Sequence, residues 1–255
     1  MTSNPVKDKL LDGKTSVGTF MGLGSPQVTE VLAHTGLEWL IIECEHSAVD
    51  IPHVEEILRA MNGTDTVPIV RIPSADPVWV QRSLDIGGMG VLVPLVKSVE
   101  EAQAIVDAAR YPPAGKRGFG PLRASDFYMN TAEYFNSIDD NVLVSLIVET
   151  KELVDNMEEI AAIDGIDALF MGVSDLSLSL GLDVLNTDYD RPEIIAVIEK
   201  MIAVSKATGV ALGIHAFSVE ELQAWQRRGF HFLSYKTEYK MLIEQAQEGL
   251  AAARG

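Results

Sequence analysis

Cysteine is almost absent: Cys44 is the only one in 255 residues. No disulfide can form within the chain, and such usage fits a reducing cytoplasm. No apolar run approaches the roughly 18–20 residues that cross a bilayer. The opening stretch, MTSNPVKDKLLDGKTS, lacks the apolar centre of a signal peptide. Positive charge is also scarce. Lys and Arg total 20 against 37 Asp and Glu, a formal net charge of -17. That surface repels phosphate backbones and argues against a nucleic-acid partner. An anionic substrate would need positive charge concentrated locally, as a metal ion and one well-placed arginine would supply. There is no Gly/Ser linker, no low-complexity tract and no sequence repeat, and the length suits one domain over 1–255.

What the chain does have is short apolar, β-rich runs alternating with longer amphipathic ones. Hydrophobic residues make up 47% of the chain, enough for a large core. Eight strands are predicted: Ser16–Gly22, Trp39–Glu43, Pro68–Ile72, Gly90–Pro94, Val142–Glu149, Ala168–Gly172, Ala211–His215 and Phe232–Tyr235. Runs such as LIIE, VLVP and LFMG are apolar on both faces, as in parallel strands covered by helices. Between them lie helical patterns such as VEEILRAM and VEELQAWQRRG, several ending at glycine. Eight strands in strict alternation with about eight helices predict a closed (β/α)8 barrel rather than an open sheet. One long irregular stretch, Tyr111–Tyr134, is read as a functional loop.

Barrel enzymes work at the C-terminal ends of their strands, so polar residues there carry the functional signal. Glu149 and Asp175 each follow an apolar strand. Two carboxylates without a Cys or His pair suit a hard cation such as Mg2+ or Mn2+. The alternative is helix capping and favourable dipole placement. Arg71 ends VPIVR, where it either meets a substrate anion or forms a structural ion pair with Glu43 or another carboxylate. His46, close to Glu43 and Glu45, suits a general base or a structural role. Ser174 and Asp175 open a helical run after Gly172, whose free N–H groups could hold a substrate carboxylate, or Ser174 simply caps that helix. His215 and Arg123 are expected to line the far part of the pocket. His34, His53 and His231 read as structural.

The pieces EWLIIECEH, VPIVRI, YPPAGKRGFG, the Glu149-Thr150 pair and MGVSDLSLSLG occur in one order over nearly the whole chain. Together they make the chain resemble the HpcH/HpaI aldolases, the metal-dependent class II pyruvate aldolases. The resemblance implies a barrel assembled as a hexamer, its last helix packed on a neighbouring subunit. It implies metal binding by Glu149 and Asp175, and stabilisation of a pyruvate enolate by Arg71. It further implies acid–base work by His46 partnered by Glu43, and a supporting carboxylate at Asp85. Three positions depart from the pattern. Glu43 stands in place of an aspartate, Ile147 in place of a glutamine and Val173 in place of a proline.

The expected activity is reversible cleavage of a 4-hydroxy-2-oxo acid to pyruvate, or a related 2-oxo acid, and an aldehyde, through a metal-bound enolate with Mg2+, Mn2+ or Co2+. One rival is a citrate-lyase-like enzyme acting on acyl-CoA. Another is a barrel that binds an oxo acid with little turnover. A Schiff-base aldolase would need a low-pKa lysine, for which Lys97 and Lys236 are the nearest candidates.

Overall fold

The computed structural model describes residues 3–186 and 189–255. Eight parallel strands close into a barrel in chain order. They are β1 (Ser16–Met21), β2 (Trp39–Glu43), β3 (Val67–Arg71), β4 (Gly90–Val93), β5 (Leu143–Val148), β6 (Ala168–Met171), β7 (Ala211–Ala216) and β8 (Phe232–Thr237). Each predicted strand is present, with ends shifted by up to two residues. Every residue of β2, β4, β5 and β6 is buried, because the interior packs one face and the helices cover the other. Packing is tight enough to demand glycine at Gly18, where an added Cβ would stand 2.1 Å from the Trp39 ring.

Helices follow the strands, and most begin at a capping side chain. Asp50, Asp76, Ser98, Thr150 and Ser218 each accept a backbone N–H from the helix they open. The KELVDNMEEIAAI pattern forms two short helices, Lys151–Asp155 and Met157–Ala161, that meet at Asn156. The irregular stretch is shorter than expected, since a helix occupies Thr131–Asn141. A further helix, Pro5–Leu11, covers the N-terminal end of the barrel. There Asn4 Nδ2 donates to the Met89 carbonyl at 3.0 Å, and Lys7 Nζ donates to the Val142 carbonyl at 2.6 Å and pairs with Asp167 at 3.1 Å. Among the described residues no helix is long and apolar enough to cross a membrane.

The strand register places the site. Glu43 on β2 lies beside Arg71 on β3, Val148 beside Met171 on β5 and β6, and His215 beside Ser234 on β7 and β8. Glu43, Arg71, Val148, Met171 and His215 stand at or next to the C-terminal ends of their strands, around one mouth.

Candidate active site

On one side of the mouth, acidic side chains surround a single guanidinium. Arg71 Nη1 donates to Glu43 Oε2 at 3.0 Å. Its Nη2 contacts Glu45 Oε2 and lies 3.8 Å from Glu149 Oε2. The turn after β2 is held by its own strand end, because Glu43 Oε1 accepts the backbone N–H of Glu45 at 2.7 Å and of His46 at 3.1 Å. Glu149, fully buried, accepts the Leu95 N–H at 2.6 Å. Thr150 Oγ1 donates to the Val96 carbonyl at 2.7 Å and accepts from Leu153, which locks the segment directly after Glu149. Gly172 is required here, since a Cβ would meet Ile147 at 2.6 Å and Glu149 Oε2 at 3.1 Å.

The electrostatics of this side are those of crowded, buried carboxylates. Burial pushes Glu149 up to about 7, opposed by the Leu95 N–H and by Arg71 and reinforced by Glu45 and Asp175. Burial likewise raises Glu45 to about 7, opposed by Arg71 and reinforced by Glu43 and Asp175. Glu43, Glu149 and Asp175 face one cavity of about 550 Å³, into which Arg71 and His46 also project. Glu45 adds a fourth carboxylate against a single arginine, and that imbalance fits a divalent cation. Among the described residues no three His, Cys, Asp or Glu groups converge as a ready cage. Two carboxylate oxygen donors with the remaining positions left to water and a chelating substrate suit a hard ion.

The other side of the mouth is aromatic. Phe20 meets Phe170 edge-on at 5.8 Å and His215 at 6.0 Å, and His215 meets Phe217 at 4.6 Å. His215 Nδ1 shares a hydrogen bond with Ser234 Oγ at 2.9 Å, and burial pushes its pKa down to about 4, so the ring is neutral near pH 7. Tyr189 and Tyr239 complete the wall. None of these rings except His215 was anticipated. Phe20 and Phe170 lie on predicted strands, but which way a strand residue faces depends on register.

Glu43, His46, Arg71, Glu149, Gly172, Ser174, Asp175 and His215 all line this cavity. Arg123, expected to line it, does not, and neither does Asp85, expected as a supporting carboxylate. Asp85 ends the helix Pro77–Asp85, which runs back from the mouth, and it pairs with buried Arg117 at 2.7 Å. Arg123 Nη1 donates to the Ile86 carbonyl at 2.6 Å, beside a second cavity at the starts of β3 and β4. The 111–130 segment thus folds toward the base, where the helix ends supply carbonyl acceptors. A second correction concerns His46. Its ring lies 3.5 Å from Glu45, while Glu43 holds its backbone. A third concerns Ser174, which is not the cap. Gly172 opens the helix Val173–Ser179 with no side-chain cap, so Val173 occupies the position where proline is usual and the helix forms regardless.

Known proteins agree with this architecture. Residues 16–245 match the family model of HpcH/HpaI aldolase/citrate lyase. A 2-dehydro-3,6-dideoxy-6-sulfogluconate aldolase of Pseudomonas putida is 35% identical, covering 94% of this chain and 92% of its own. A hydroxypyruvate/pyruvate aldolase of Roseovarius nubinhibens is 33% identical, over 99% and 97%. A crystal structure of a family protein from Burkholderia cenocepacia superposes with a TM-score of 0.92 at 31% identity, covering 99% of this chain and all of that one. With a matching family model over most of its length and a barrel that superposes end to end, the chain belongs to the HpcH/HpaI aldolase/citrate lyase family.

Proposed function

We propose that this enzyme, an aldolase of the carbon–carbon lyase class, uses a divalent cation held by Glu149 and Asp175 to join or part pyruvate and an aldehyde. The observation that carries this reading is the surplus of carboxylates around Arg71 at the mouth of one cavity. A bound cation would supply countercharge and Lewis acidity for the carboxylate and keto oxygens of a 2-oxo acid.

The chain's own groups then have distinct tasks. Arg71 donates to the keto oxygen, where negative charge develops as C3 loses its proton. The N–H groups opening the helix Val173–Ser179 hold the substrate carboxylate, with Ser174 in the adjoining wall. His46, with Glu45 beside its ring, moves protons between C3, the aldehyde oxygen and solvent. In addition, the C3–aldehyde carbon bond forms as one proton leaves C3 and one arrives on the aldehyde oxygen. Cleavage of the 4-hydroxy-2-oxo acid reverses each of these movements. A Schiff base finds less support. Neither Lys97 nor Lys236 lines the cavity, and Lys236 Nζ pairs with Glu244 at 2.5 Å.

Mg2+, Mn2+ and Co2+ are the candidate ions. A homo-oligomer, hexameric as the family likeness implies, is supported by exposed Leu242, Ile243 and Leu250 on the last helix, Glu238–Arg254. A cytoplasmic setting accords with the lone buried thiol, Cys44. The test is exchange of the pyruvate methyl protons in deuterated water, followed by NMR. Exchange should stop with chelator and return with Mn2+. Exchange that persists at full rate in chelator, or a covalent adduct trapped by borohydride, would defeat the metal mechanism.

A further inference from the structure

The cavity offers more room than a three-carbon 2-oxo acid fills, and its far wall differs from its near one. Among the described lining residues Arg71 is the only Lys or Arg, and Glu43, Glu45 and Glu149 already surround it. Lys236, next to the lining residue Thr237, is held by Glu244. Burial keeps His215 uncharged near neutral pH. The wall opposite the carboxylates is made by Phe20, Phe170, His215, Phe217 and Tyr239. Three of the ring contacts there are edge-to-face, and each of these rings lines the cavity.

A second anionic group pushed against this wall would lose its water and find no cation. An apolar ring would instead gain contact area. Resting on the proposed aldolase reading, we infer that the acceptor subsite takes a neutral aldehyde bearing an apolar, ring-sized group and turns away an aldehyde bearing a second anion. The substrate named for the Pseudomonas putida relative carries a sulfo group as well as its acid. This chain's wall is built for the opposite kind of guest. Phe20, Phe170 and Phe217 are the specificity-determining residues, with Phe217, 53% exposed, at the rim.

The experiment pairs two acceptors with pyruvate and Mn2+ on the full-length protein: benzaldehyde and succinic semialdehyde. The kcat/KM for benzaldehyde should exceed that for succinic semialdehyde by about tenfold or more. Phe217→Arg puts a cation at the exposed rim, where folding tolerates it, and should cut that ratio about tenfold. Preference for succinic semialdehyde in the unmodified protein, or a ratio unmoved in F217R, overturns the inference. Methyl-proton exchange of pyruvate without any aldehyde separates the two levels. Its absence with Mn2+ present defeats the aldolase reading and this inference with it. Exchange combined with the wrong acceptor preference defeats the acceptor inference alone.

Discussion

On the β2–β3–β5 side of the mouth, Glu43, Glu45 and Glu149 press on one guanidinium, and their mutual repulsion is relieved only in part. On the β7–β8–β1 side, rings pack edge to face around a neutral imidazole, whose hydrogen bond to Ser234 is satisfied within the wall. The two sides sit on equivalent strand ends of the same barrel. They differ in what each still lacks. The acidic side is partly desolvated charge with one guanidinium among four carboxylates, so it costs stability. The aromatic side is already self-consistent, so it contributes burial and selects by shape.

The sharpest way to break this contrast is Arg71→Ala. Buried Glu43 and Glu149 and partly buried Glu45 would lose the one cation paired with them among the described residues, and pyruvate methyl exchange should fall about 10²–10³-fold. Metal-free stability, read by denaturant unfolding, should drop by about 3–5 kcal/mol. An R71A protein that keeps normal exchange would remove Arg71 from the chemistry. His46→Ala should slow exchange about 10²-fold. Because the imidazole is 61% exposed, unfolding stability should stay within about 0.5 kcal/mol. A large stability loss would mark His46 as structural.

Glu149→Gln tests the cost of the acidic side directly. Mn2+ affinity by calorimetry should fall about 10–100-fold or more. The pH dependence has a definite sign. Glu149 and Glu45 are raised from an ordinary 4.5 to about 7, so between those values the folded protein holds protons that the unfolded chain has released. Their contribution to metal-free stability therefore declines as pH rises from about 4.5 to 7. The decline should be visible as the difference between the unmodified protein and E149Q across that window. Saturating Mn2+ should reduce that decline. A flat difference would mean that Glu149 is not desolvated charge. The smallest effect is expected from Ile147→Gln, which puts an amide into an apolar wall beside Gly172. Stability should fall by about 1–2 kcal/mol, with exchange nearly unchanged.

Much of the acidic side was legible in the chain. Glu43, Arg71 and Glu149 each end or follow an apolar strand, and in a parallel barrel that position alone brings them to the mouth. Which carboxylate meets which partner was not legible. Glu43 and Glu45 lie two residues apart and both meet Arg71, yet the turn aims Glu45 at the His46 ring while the other oxygen of Glu43 takes backbone N–H groups. Asp85 and Arg123 lie away from this cavity for a related reason. The end of a helix after a strand returns to the base, and Arg123 sits on a segment whose direction no local pattern encodes. The aromatic wall escaped notice because Phe20, Phe170 and Phe217 look like ordinary core residues until the register turns them toward one cavity.

The sequence by itself determined the alternation of strands and helices and the strand ends at which polar residues emerge. Periodicity, capping residues and apolar runs act over a few neighbouring residues and need no distant partner. Only the tertiary structure decided which side chains share one cavity, how far buried carboxylates resist ionisation, and that one wall of that cavity is aromatic. Those properties arise from groups far apart in the chain, such as Glu43, Glu149 and His215, and distance and desolvation between them exist only once the barrel has closed.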